Sequence, residues 1–195
     1  MLAAWLDQRV RAVCSCLDAS FPEAALALSY SGIDTLAFLR APVGAKDVNR
    51  DDFIEWCDRY MVPFLHSAAT GIDLYGARCG VLHTSSAASR LGREGHAREV
   101  WYRFKDRAGV NLMTNTPQPS LMVEIEALVQ AFVQGSQQFV ADLEGNPAQR
   151  TVAQERVGQF FSWGVLTTSQ SAHEGCDVRS AAAAPGIPPP TKLPL

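Results

Sequence analysis

Apolar residues recur along the first two thirds of this chain with a helical rhythm. Leu2, Trp5, Leu6, Val10, Val13 and Leu17 fall at spacings of three and four and predict a helix over 2–18. Ser20, with Pro22 and Glu23 close behind, reads as the start of a second helix of about 21–40, rich in Ala and Leu, that stops before Ala41-Pro42-Val43-Gly44. Asn49 is placed to cap a third over 50–60, with Phe53, Trp56, Cys57 and Tyr60 on one face. Pro63 opens a short segment, and 71–83 reads as a further helix. The period then changes. Arg98 to Phe104 is β-branched and aromatic, 105–109 is turn-like, and 110–114 reads as a return strand, so a β-hairpin is expected near 97–114. Helical spacing resumes over 120–143 through Leu121, Ile125, Leu128, Val129, Phe132, Phe139 and Leu143. Asn146-Pro147 starts a last helix, expected to reach Leu166.

The expected fold class is therefore all-α, a helical bundle with a small inserted β-hairpin. It occupies residues 1–166, ahead of a disordered Pro/Ala-rich tail over 167–195. A chain of 195 residues suits one domain with a real core. The net charge of −3 counts mildly against wholesale coating of nucleic acid but permits a local basic site. Cys14, Cys16, Cys57, Cys79 and Cys176 form no CxxC pair and no zinc spacing, and read as reduced, buried small residues. No window is apolar enough to span a bilayer, and the charged start of the chain does not read as a signal peptide, so a cytoplasmic protein with no membrane partner is expected.

The helix over 71–83 is apolar nearly all round, which marks it as buried, yet it carries Arg78 and His83. A buried guanidinium needs a partner, and Asp34, Glu55 or Asp73 can supply it, with Asp34 preferred. In the plainest reading Arg78 sits in a structural salt bridge and His83 caps the helix C-terminus. In the functional reading, His83 moves a proton and Arg78 grips phosphate oxygens. On an ideal helix the two point about 140° apart and converge poorly within one copy. Gly76 and Gly80, one turn apart, offer a small-residue face on which another helix, of the same chain or of a second copy, can pack closely, and packing on the same helix of a second copy would bring two pairs into one cleft.

The string Asp73-Leu74-Tyr75, then Arg78-Cys79-Gly80-Val81-Leu82-His83, resembles the signature helix of HEPN domains, whose motif is Arg, four to six residues, His. Ala27 to Ala37 is similar to the helix that precedes it in bacterial members, and the resemblance covers about residues 1–165. It implies a metal-independent endoribonuclease acting as a homodimer, in toxin–antitoxin or phage-defence systems, with RNA and an antitoxin or other defence protein as partners. His83 would then be the base or acid and Arg78 would stabilise the phosphorane, with Asp34, Tyr75 and Cys79 in support and no cofactor or metal. Active members usually carry Asn, Asp or His directly after the Arg, where this chain has Cys79, which is expected to pack inward. The alternatives are a non-cleaving RNA- or protein-binding module of the same fold, or a plain helical scaffold.

Arg90, Arg93, Arg98 and Arg103, followed by Lys105 and Arg107 and interleaved with Trp101, Tyr102 and Phe104, are the candidate RNA-binding set. Glu94, Glu99 and Asp106 dilute that charge, and a hairpin with one wet face is the plainer reading. The loop Gly92 to His96 lacks the spacing of a phosphate-binding loop. His66, His96 and His173 stand alone, and His173, Glu174 and Cys176 lack a fourth metal ligand.

Overall fold

The computed structural model describes residues 2–84, 89–104 and 120–160. All of them lie in the first of the two units into which the chain divides, 1–160 and 161–195. The expected turn at 105–109, the return strand at 110–114, the cations Lys105 and Arg107, and the whole of 161–195 lie outside the described residues.

Seven α-helices and one parallel strand pair are present among the described residues: α1 (Leu2–Asp18), α2 (Pro22–Arg40), α3 (Arg50–Tyr60), α4 (Gly71–Thr84), α5 (Arg90–Arg93), β1 (Glu99–Arg103), β2 (Ser120–Glu124), α6 (Ile125–Glu144) and α7 (Pro147–Val157). The fold is all-α with a small β insertion. Helix α2 is the central post. Ala25, Leu26, Tyr30, Ile33, Leu36 and Leu39 bury more than one of its faces, because α1, α3, α4, α6 and α7 all pack on it. The core is completed by Phe53, Trp56 and Cys57 of α3, Leu74 of α4, and Leu128, Phe132 and Phe139 of α6, all at most 1% exposed. Two glycines permit the closest approaches. A side chain at Gly71 would collide with the Ile54 carbonyl and Asp58, and one at Gly135 with the Tyr60 carbonyl.

Asn49 caps α3 as expected, its side chain accepting from Asp51 N and Asp52 N while Asp52 answers the Asn49 N–H. The expected role of Ser20 is corrected. It sits at φ 62° and does not cap α2. Ser20 N donates to Leu17 O and Phe21 N to Cys16 O, the two bonds of a Schellman motif, so Ser20 closes α1 instead.

The β arrangement is also corrected. β1 pairs in parallel with β2, Glu99 opposite Ser120 through Arg103 opposite Glu124. Residues 120–124, expected to open the long helix, are therefore strand. β1 presents a row of backbone donors and acceptors beside the α4 face, and a β-tending Ser-Leu-Met-Val-Glu segment satisfies them. Glu124 is extended, and α6 begins only at Ile125. The last helix ends at Val157, with Gly158 at its C-cap, rather than continuing toward Leu166.

Candidate functional site

Helix α4 is set in place at its N-terminal end. Asp73 is only 2% exposed and accepts from Thr70 N at 3.0 Å and Thr70 Oγ1 at 2.7 Å, closing the N-terminal turn. The same carboxylate takes Arg98 N at 2.8 Å and Arg98 Nη2 at 2.6 Å, tying α4 to the start of β1. Burial pushes the Asp73 carboxyl up, but the donors of Arg98 and Thr70 outweigh it and leave its pKa below the ordinary 3.8. Gly71 N is answered by Asp58 Oδ1 at 2.6 Å. This frame fixes how the rest of α4 faces α2 and α3.

Arg78 leans onto α2, where Nε (3.0 Å) and Nη2 (2.8 Å) both donate to one oxygen of Asp34. Of the three acids considered for it, Asp34 is the one it takes. Glu55 holds Arg40 and Asp73 holds Arg98. The side chains of Arg78 and Asp34 each keep 22% of their surface exposed, so the pair is only partly shielded. Burial raises the Asp34 pKa above 3.8, and the opposing pull of Arg78 and His83 does not fully offset it. Burial pulls the Arg78 pKa down, but the bond to Asp34 more than reverses this.

The third nitrogen, Arg78 Nη1, stands 3.4 Å from His83 Nε2. The poor convergence expected within one copy is thus corrected. A helical wheel compares the directions of Cα–Cβ bonds, whereas the long arginine side chain crosses the turn to reach a residue five positions on. Arginine has only donors, so this contact as a hydrogen bond requires an unprotonated Nε2 on His83. That is the form a general base must have. His83 itself is exposed.

Tyr75 and Cys79 complete the group. Tyr75 is half-buried, with its ring edge-on to Phe53 at 5.5 Å. Cys79 does not pack inward. It is half-buried, beside Tyr75 and Arg78, and interacts electrostatically with both. The Gly76 face is filled from within the same chain. A methyl on Gly76 would meet Ala97 Cβ and Ser89 Oγ, each at 3.2 Å, so the segment around α5 of the same chain already covers that face.

The four candidate RNA-binding arginines do not form a free basic patch. Arg98 is held by Asp73 and by Ala68 O at 2.7 Å, Arg103 pairs with Glu124, and Arg90 pairs with Glu94 at 3.6 Å. Arg93 is exposed. Among the described residues no three His, Cys, Asp or Glu side chains are placed to hold a metal ion, and no helix is long and apolar enough to cross a membrane. His66 lies at φ 46° in the turn before α4.

Two features escaped the sequence reading. Arg50, the first residue of α3, lies one turn before Phe53 and therefore on the side of α3 that faces Tyr75. Its position at i−3 from an apolar stripe was the available signal. Arg156 is 6% exposed and donates to the carbonyls of Phe38, Ala41, Pro42 and Ala45 at 2.5–3.3 Å, over the Phe38 ring. Nothing local in the sequence signals that use. A groove of about 790 Å³ beside α3 and α6 is walled by the Arg40–Glu55 and Arg59–Asp142 pairs, whose charges already answer one another.

No family model matches the chain, and neither the curated proteins nor the solved structures contain a significant match to it.

Proposed function

We propose that the chain is a metal-independent endoribonuclease of HEPN type, with Arg78 and His83 as its catalytic pair. The observation that carries this reading is the 3.4 Å approach of Arg78 Nη1 to His83 Nε2, with Asp34 holding the other two guanidinium nitrogens. A substrate phosphate entering between them would take over Nη1 and leave Nε2 free to accept a proton. His83 Nε2 removes the proton of an RNA 2′-hydroxyl, and the 2′-oxygen bonds to the adjacent phosphorus. The P–O5′ bond then breaks, giving a 2′,3′-cyclic phosphate and a 5′-hydroxyl. Arg78 neutralises the charge that grows on the non-bridging oxygens. The departing 5′-oxygen needs a proton, which an imidazolium from a second copy in a homodimer would supply. On this reading the chain works in the cytoplasm, in a toxin–antitoxin or phage-defence setting, with an antitoxin or other defence protein restraining it.

A second reading has its own observation. Arg78 spends two nitrogens on Asp34, the engagement expected of a binding module that does not cleave. One assay separates the two. Purified protein is incubated with RNA in EDTA, alongside His83→Ala and Arg78→Ala, and the product ends are read. Cyclic phosphate ends that disappear in both variants support the nuclease. RNA bound but left intact by the wild type transfers the weight to the binding module.

A further inference from the structure

Arg50 stands apart from the other arginines that carry a carboxylate partner. Among the described residues its ion pair is with the adjacent Asp51 at 3.9 Å, and Asp51 is itself 91% exposed, so that pair fixes no geometry. Arg50 keeps 47% of its side chain exposed. The antiparallel α3–α4 packing sets its turn of α3 against the middle of α4. Gly71 lies against Ile54 and Asp58, and one turn further along α4 Tyr75 lies against Phe53, so the first turn of α3 falls beside the Tyr75–Cys79 stretch. The Tyr75 hydroxyl registers the arrangement. Burial and Cys79 raise its pKa, while Arg78 and Arg50, one on each helix, both pull it down. Arg50 thus stands on the α3 side of Tyr75, while Arg78, bonded to Asp34 and 3.4 Å from His83, lies one turn beyond Tyr75 along α4. A single phosphate at Arg78 and His83 leaves Arg50 and Tyr75 unused.

We propose that Arg50 and the Tyr75 hydroxyl hold the phosphate next to the one bound at Arg78 and His83, so that the site takes a single-stranded oligoribonucleotide rather than an isolated phosphate group. The proposal rests on the nuclease reading and names the substrate class for that site. Arg50 contacts the flanking phosphate as a cation, and Tyr75 donates its hydroxyl to the same oxygens.

The test is binding of a fluorescein-labelled oligoribonucleotide made uncleavable by 2′-O-methyl groups, followed by anisotropy across a salt series. A 3′-phosphorylated mononucleoside serves as the competing small probe. For Arg50→Ala, binding of the oligonucleotide should weaken about fivefold at low salt, and the slope of log K against log salt should shrink by about 0.7, one phosphate contact on a single strand. Arg50→Lys should keep the slope, and the mononucleotide should bind both variants as it binds the wild type. Thermal unfolding shows whether each variant is folded, as an exposed first-turn position leads one to expect. Oligonucleotide binding that depends on Arg78 but not on Arg50 overturns the proposal and leaves the nuclease reading standing. A wild-type chain that neither binds nor cleaves RNA overturns both.

Discussion

Asp34, half-buried, and Asp73, buried, are each paired with an arginine, yet their environments act in opposite directions. Asp73 takes five donations from Thr70 and Arg98, and its pKa lies below 3.8. The unfolded chain therefore holds the proton more tightly, and the stability this carboxylate contributes is present above about 3.8 and lost as pH falls through the lower folded value. Asp34 is raised by burial, so the folded chain holds the proton more tightly. Its contribution to stability declines as pH rises from 3.8 through the higher folded value. Urea unfolding of Asp73→Asn and Asp34→Asn between pH 3 and 7, each against wild type, should show the two differences moving in opposite directions. For Asp73→Asn the deficit grows with pH to about 2–4 kcal/mol at neutrality, since its side chain is 3% exposed while Arg98 is 34% exposed. Parallel trends would sink the assignment. Asp34 also holds two of the three nitrogens of Arg78, so Asp34→Asn should slow RNA cleavage about tenfold or more by freeing the guanidinium from its geometry.

At the scale of elements, the helices other than the short α5 were legible from apolar residues at helical spacing, and Asn49 and Pro147 mark two of the starts. The strand at 120–124 was not. Leu121 and Ile125 sit four apart and read as helix, while the partner that makes the segment extended lies about twenty residues away in β1. The Arg78–Asp34 pair was legible from charge burial alone, whereas the Arg78–His83 contact depends on side-chain length rather than helical angle. Between α2 and β1 the Tyr30 and Tyr102 hydroxyls meet at 2.6 Å, with Tyr30 fully buried and its pKa driven well up by that burial. Tyr102→Phe strands the Tyr30 hydroxyl and should cost about 1–3 kcal/mol. The Tyr30→Phe, Tyr102→Phe double variant should lose less than the sum of the two single variants. Strict additivity in denaturant unfolding would mean that the hydroxyls do not support each other.

Across the whole molecule, one covalent chain already contains a complete Arg–His pair, and the Gly76 face that was to receive a second copy is covered by Ser89 and Ala97. A site assembled within one copy and a site that takes its Arg from one copy and its His from the other differ in a mixing experiment. Arg78→Ala and His83→Ala chains, unfolded together and refolded, form mixed dimers if the protein dimerises. A split site would be restored once per mixed dimer, returning about a quarter of wild-type cleavage after random pairing. The 3.4 Å contact within one chain predicts no such recovery, because no copy in the mixture has both residues. It also predicts that wild type mixed with the Arg78→Ala, His83→Ala double variant keeps cleaving, since each wild-type chain brings its own pair. Any further loss in that second mixture measures what the partner adds, above all a proton for the departing 5′-oxygen. A shift in its pH–rate profile on the alkaline limb would identify the missing group as an acid. Recovery in the first mixture would instead move the catalytic contact from within the chain to the interface between copies.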